Sequence, residues 1–164
     1  MAGGRYDDMR MCVGSQSGIK GGPIADVMFI TKKNVKQDIN LAFELPVMRP
    51  ILFAFSFQML QFEPQVSIEF NKKMNKKYSL VFAPGMGISF HYGPDYKSDL
   101  DNRGESFFAT GPLVSGLLGI SSRGKNDKKR IIGVRFFYTS LFSNATPLSP
   151  GTVFGATIES HFQF

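Results

Sequence analysis

Six ionisable side chains, Glu44, Glu69, His91, Arg135, Glu159 and His161, recur at the polar positions of segments in which polar and apolar residues alternate. Gln58, Gln65 and Gln163 hold the same kind of position. A period of two places such residues on one face of a sheet. If that face is enclosed, its charges lie in a low dielectric and persist only when paired and hydrogen-bonded. A structural network is therefore expected, with Arg135 joined to Glu159 or Glu69. A proton path or a ligand site is the sharper use of the same residues. Any narrow enclosed sheet must fill its interior with some such set, which favours the structural use.

Other candidates fall away on spacing. Asp99-Leu100-Asp101-Asn102-Arg103-Gly104 opens like a calcium loop, yet Arg103 stands at a ligand position and Thr110 where the bidentate Glu belongs. With Asp95 and Glu105 it reads as a solvated loop. Cys12 is the single cysteine, which excludes an intrachain disulfide and a thiolate metal cluster. Asn144-Ala145-Thr146 spells a glycosylation sequon by residue type alone. No phosphate-cradling Gly motif, Cys/His zinc spacing or nucleophile elbow is present, so neither a metal nor a cofactor is expected.

The elements that must position the polar face are strands. In Thr152 to Phe164, Phe154, Ala156, Ile158, Phe162 and Phe164 share one parity, and Gly155, Thr157, Glu159, His161 and Gln163 the other. The same alternation runs through Ile39 to Leu45, Ile51 to Phe57, Val66 to Phe70, Tyr78 to Tyr92 and Ile132 to Phe142. Eight strands are predicted, at about 24 to 31, 38 to 46, 51 to 60, 65 to 71, 77 to 92, 110 to 121, 130 to 142 and 152 to 164. The apolar parity reverses around Phe62-Glu63-Pro64, which cannot happen within one unbulged strand. A loop is expected there, making 51 to 60 and 65 to 71 an antiparallel pair. Pro46 and Arg49-Pro50 read as a turn, and a bulge or break is expected near Pro84-Gly85. Gly93 to Glu105 reads as an aqueous loop. Residues 1 to 22 form an N-terminal segment of unassigned structure with at most a short strand over Met9 to Val13, ahead of one domain over 23 to 164.

Composition fits this pattern. The 164 residues are 43% hydrophobic and include 17 Phe, 17 Gly, 9 Pro and no Trp. In a soluble domain so many Phe should form one central core, whereas in a membrane barrel they can be spread along the strands and face hydrocarbon. A strand greasy on one face, polar on the other and ending on an aromatic suits such a barrel. No stretch approaches the roughly 18 to 20 apolar residues of a spanning helix. Met1-Ala2-Gly3-Gly4-Arg5 lacks the features of a secretory signal, so the barrel reading supposes that a signal was removed. The net charge of +6 sits in three clusters between strands: Lys32, Lys33 and Lys36; Lys72, Lys73, Lys76 and Lys77; and Arg123, Lys125, Lys128, Lys129 and Arg130. Solvated turns explain them, and anionic headgroups are compatible partners. Nucleic acid is not an expected partner, because the cations are confined to turns and not interleaved with exposed aromatics.

The terminal Phe162-Gln163-Phe164, the alternating strands before it and the succession of short basic turns and longer polar loops resemble the small eight-stranded bacterial outer-membrane proteins. These include the outer membrane protein A transmembrane domain and the OmpX and OmpW groups. The resemblance covers residues 24 to 164 and implies an all-β, antiparallel up-and-down transmembrane barrel in a bacterial outer membrane. It places Phe154, Ile158, Phe162 and Phe164 toward lipid and Glu159 and His161 toward a packed interior. It also implies contact with lipid and lipopolysaccharide, a periplasmic C-terminus, and outer loops at 93 to 109 and 143 to 151 as the surface for a protein partner. Phe142-Ser143-Asn144-Ala145 is similar to the active-site stretch of the outer-membrane lipid A deacylases, whose general base stands two residues before the serine. Leu141 holds that place and cannot accept a proton, so a non-enzymatic barrel is expected. A lipid A-modifying hydrolase is the first alternative, and a soluble all-β phage or capsid subunit is the second.

Overall fold

The computed structural model describes residues 1–8, 21–47, 49–53, 56–96, 103–124, 128–144 and 150–162. The readings on Met9 to Val13, Cys12, Asp99, Asp101, Gln163 and Phe164, and on the side chain of Gln58, lie outside the described residues. Among the described residues, eleven antiparallel strands form a single sheet. They are β1 (Ala2–Asp7), β2 (Gly21–Ala25), β3 (Met28–Lys36), β4 (Ile39–Pro46), β5 (Arg49–Phe53) and β6 (Ser56–Phe62). They continue with β7 (Gln65–Lys73), β8 (Tyr78–Tyr96), β9 (Arg103–Arg123), β10 (Lys129–Leu141) and β11 (Gly151–Phe162). No helix among the described residues is long and apolar enough to cross a membrane.

The hydrogen-bonded path runs β2-β1-β11-β10-β9-β8-β7-β4-β3, with β6 pairing both β5 and β8. Several strands run on end to end. Phe62 faces Phe90 and Gln65 faces Gly87, so β6 and β7 lie along β8 in one unbroken register. This corrects the reading of a loop at Phe62-Glu63-Pro64. The reversal lies between Phe53 and Ser56, where β5 turns into β6. A parity change does require a break in the strand, and the β5–β6 pair supplies a chain reversal and a register shift between Ile51 and Leu52. Consequently 51 to 60 is not one strand, and its two halves pair with each other. Likewise Pro46 and Arg49-Pro50 do not close a hairpin. β4 pairs with β7 and β5 with β6, and six residues from Glu44 to Arg49 oppose five from Gln65 to Gln61, a one-residue irregularity.

The N-terminal segment, left unassigned by sequence, enters the sheet. β1 lies between β11 and β2, with Ala2 facing both Ile158 and Ala25. The long strands β8 and β9 pair in one register from Tyr78–Ser122 to Pro94–Ser106. No bulge therefore occurs at Pro84, whose missing donor falls on the β7 side, where pairing lapses between Ser67–Gly85 and Phe70–Phe82. β8 extends to Tyr96 and β9 begins at Arg103, so the two ends of the polar stretch Gly93 to Glu105 are strand and not loop, and its middle, 97–102, lies outside the described residues.

The sheet has two chemically distinct faces. On β10, Ile131, Gly133, Arg135, Phe137, Thr139 and Leu141 are buried, whereas Ile132, Val134, Phe136, Tyr138 and Phe142 are exposed. Buried apolar side chains form two clusters, Ile24, Phe107, Ala109, Leu113, Phe137, Leu141 and Val153 in one, and Val81, Ala83, Leu117 and Ile131 in the other. Glycine lets strands approach these bulky side chains. A Cβ on Gly155 would overlap the carbonyl oxygen of Gly4 and stand 2.8 Å from Phe137 Cζ. Gly155→Val is thus expected to unseat β1 from β11 and to destabilise the fold by about 2 kcal/mol, the scale of overpacking a well-filled site. Equilibrium urea unfolding checks this, and an unchanged midpoint would contradict it.

Candidate functional site

The buried face carries the chain's polar chemistry. Glu44, Glu69, His91, Arg135 and Glu159 are buried, and His161 is half-buried beside Glu159. They fall into three groups rather than one.

In the first, Arg135 on β10 sits between two carboxylates. Its Nε donates to Glu159 Oε1 at 2.8 Å, and its Nη2 lies 2.7 Å from Glu44 Oε2. Its Nη1 donates to Ser115 Oγ at 3.1 Å, and that hydroxyl donates to Gln65 Oε1 at 2.6 Å. Ser67 and Gln65 donate to Glu44, while Thr157 Oγ1 donates to Glu159 Oε1 at 3.1 Å. His161 Nε2 lies 2.9 Å from Glu159 Oε2. The pair Arg135–Glu159 matches one of the two expected pairings. Glu69 is instead held by Lys32, Asn40 and Asn71, and forms a second group toward the β3–β4 turn.

The third group contains His91. Its Nε2 lies 2.9 Å from Ser89 Oγ and 3.5 Å from Glu63 Oε1, and Ser89 Oγ donates to the same carboxylate oxygen at 2.8 Å. Gln61 Nε2 donates to Glu63, and Arg5 joins Gln61 to Asp7. A serine, a histidine and a carboxylate in contact suggest a nucleophile, but the arrangement is wrong for one. In a triad the acid grips the ring nitrogen remote from the serine. Here acid and hydroxyl share Nε2, Nδ1 has no hydrogen-bond partner, and Ser89 and His91 are wholly buried. Sequence reading missed Arg5, Asp7, Gln61, Glu63 and Ser89. One signal for them existed: Gln61, Glu63, Gln65, Ser67 and Glu69 hold a single parity through the supposed loop.

Ser143 donates its hydroxyl proton to the carbonyl oxygen of Phe108 at 2.6 Å, and Leu141, two residues before it, is packed in the apolar cluster. No group of three or more His, Cys, Asp or Glu among the described residues is placed to hold a metal ion.

These contacts curl the sheet. Glu44 on β4 and Arg135 on β10 are four steps apart along the strand path, which at a spacing of about 4.8 Å would separate them by roughly 19 Å in a flat sheet. They touch, so the buried face is concave. A cavity of about 20 Å³ remains beside Arg135, between Gln65, Leu113, Ser115, Phe137 and Thr157. It has room for about one water molecule. No family model, curated protein or solved structure matches the chain.

Arg135→Leu is expected to cost about 3–5 kcal/mol, because Glu44 and Glu159 are then buried without their cation. Glu44→Gln and Glu159→Gln in the same chain should restore much of that loss, as measured by urea unfolding. A single variant as stable as the parent would contradict the pairing.

Proposed function

We propose that the chain is a non-enzymatic transmembrane β-barrel of a bacterial outer membrane, with a filled interior and a binding or structural role. One observation carries the reading. The sheet is inside out for water: its enclosed face holds Arg, Glu, His and Ser, while its open face exposes Phe43, Phe82, Phe136, Phe154, Ile158, Phe162 and many other large apolar residues. Soluble domains rarely expose contiguous apolar surface on this scale, whereas a barrel in lipid requires it. Cross-strand aromatic contacts lie on that same face, with Phe70 over Phe82 at 6.4 Å and Phe90 between Phe62 and Phe108 at 6.3 and 6.2 Å.

Closure has its own support. The two ends of the strand path, β2 and β3, are separated in the chain only by Asp26 and Val27. Asp26 N donates to Met1 O, and Val47 N donates to Val27 O, so one continuous segment binds β1 above and β4 below. Counting β2 with β3, β4 with β5 and β6 with β7 turns eleven strands into eight staves, a size that side chains can fill. The turns after Lys36, Lys73 and Arg123 all fall at the end where β11 finishes, so the basic clusters form a collar there. Arg130 lies 4.9 Å over the Phe162 ring and Lys77 5.5 Å over Tyr78. Cations beside outward aromatics suit a headgroup boundary, and phospholipid or lipopolysaccharide phosphates are the fitting partners. The opposite rim, with the ends of β8, β9 and β10, is the fitting surface for a protein partner. The absence of a base at Leu141 and the burial of Ser89 support a role without catalysis.

The purified protein should require detergent and show heat-dependent gel mobility; a monodisperse sample without detergent would overturn the reading. Phe136→Arg should cost about 2–4 kcal/mol in a bilayer, the cost of arginine at the midplane. On a water-facing surface the same change would stay within about 0.5 kcal/mol.

A further inference from the structure

One row of the sheet marks the border between the apolar wall and the basic collar. Tyr78, Ser122, Arg130 and Phe162 face one another in turn across β8, β9, β10 and β11. Residues paired in this way project from the same face of a sheet. Here it is the exposed one, on which Tyr78 and Phe162 lie. Toward the wall, the next row on that face is Leu80, Ile120 and Ile132, all exposed. Toward the collar, Arg123 N donates to Lys77 O, and the Lys77 ammonium stands 5.5 Å from the centre of the Tyr78 ring.

The polar groups of this row are held in place and still have capacity to bind. Arg130 lies 4.9 Å over the Phe162 ring and donates from Nε to Ser160 Oγ at 3.3 Å, which fixes the plane of its guanidinium. Among the described residues, its Nη1 and Nη2 make no hydrogen bond, the Ser122 hydroxyl makes none, and the Lys77 ammonium makes no ion pair. No carboxylate occurs in Lys77 to Leu80, Ile120 to Arg123, Lys129 to Ile132 or Ser160 to Phe162. On a surface facing water, solvation alone would satisfy these groups. This row adjoins the apolar wall, and at such a border the available partner is a lipid headgroup.

We infer that this row is a binding site for an anionic diacyl glycerophospholipid of the phosphatidylglycerol type. The inference rests on the membrane-barrel reading above. A guanidinium with Nη1 and Nη2 both open matches two phosphate oxygens in a fork. The Ser122 hydroxyl, next to Arg130 in the row, donates to an ester oxygen, and Lys77 adds a second positive charge from the Tyr78 side. The row spans three strand spacings, about 14 Å. Beneath it Leu80, Ile120 and Ile132, then Phe82, Leu118 and Val134, offer an exposed apolar surface on which two acyl chains lie along the strands. Charge selects the headgroup. Choline or ethanolamine would bring a further cation among Lys77 and Arg130 with no carboxylate to receive it, whereas glycerol brings none.

The test uses the full chain in vesicles and reads lipid contact at single tryptophans, since the chain has none of its own. Ile132→Trp reports the wall beneath the row, and Phe108→Trp reports the far end of β9 on the same exposed face. Brominated phosphatidylglycerol diluted into plain phosphatidylcholine should quench Ile132→Trp as though enriched there about tenfold or more, with each cation contributing about fivefold. It should quench Phe108→Trp only in proportion to its share of the bilayer. Arg130→Gln and Lys77→Gln, both at exposed positions, should each lower the enrichment about fivefold while heat-dependent gel mobility is kept. Inorganic phosphate should not displace the brominated lipid, and lipopolysaccharide should displace it less well than unlabelled phosphatidylglycerol does. Equal enrichment at the two tryptophans, enrichment untouched by both Gln variants, or better displacement by phosphate or lipopolysaccharide would overturn the inference. If no brominated lipid quenches either tryptophan, the membrane reading fails; if both are quenched without preference for phosphatidylglycerol, the lipid site alone fails.

Discussion

The guanidinium of Arg135, held between Glu44 and Glu159, is the interaction on which the rest of the structure depends. It lies on the buried face with apolar clusters containing Phe137 and Ile131 on either side along β10. In such surroundings one unpaired charge costs several kcal/mol, so the three groups hold together or the interior fails. Because Glu44 comes from β4 and Arg135 from β10, the pair also fixes the curvature of the sheet. Arg5 with Gln61 and Ser115 with Gln65 make further links across the interior. Charge pairing here is a statement about shape more than about stability, since apolar residues of similar volume can stabilise an interior as well.

That constraint reverses the usual division of labour between the faces. With polar groups committed to the interior, the pleat sends every intervening side chain outward, and those are Phe, Leu, Ile and Val. The backbone has no freedom to arrange this otherwise, because successive side chains of a strand point to opposite faces. Small residues complete the interior: Gly155 admits Phe137, and Gly119 faces Gly133 across the ladder between β9 and β10. The internal space beside Arg135 is about 20 Å³.

Parity was legible in the sequence, and the hairpins were less so. Period two along Tyr78 to Tyr92 and Ile132 to Phe142 identified both faces, and those strands lie where the alternation puts them. Pro46, Pro50 and Pro64 misled because proline signals a missing donor, not a chain reversal, and a wall strand can absorb it at an irregularity or on an unpaired side. The reversal near Ala54 carries no Gly, Asn or Asp to mark it. β1 was illegible because Gly3-Gly4 gives a short segment no face of its own; its place depends on β11 and β2. In the interior, Arg135 with Glu159 could be read as neighbours on adjacent strands. Glu44 as the second partner, and Glu63 with Ser89 at His91, depend on curvature and on a strand continuing where a loop was expected.

In the proposed membrane arrangement the apolar face meets hydrocarbon and the polar face does not, and the chain lends itself to a direct measurement because it contains no tryptophan. Phe136 is 56% exposed and its neighbour Phe137 is 8% exposed, on opposite faces of β10. A single Trp placed at each, in vesicles whose acyl chains carry bromine, reports contact with lipid by fluorescence quenching. Strong quenching for Phe136→Trp and little for Phe137→Trp is the expected result. Equal quenching at both, or none at Phe136→Trp, would contradict the inside-out arrangement.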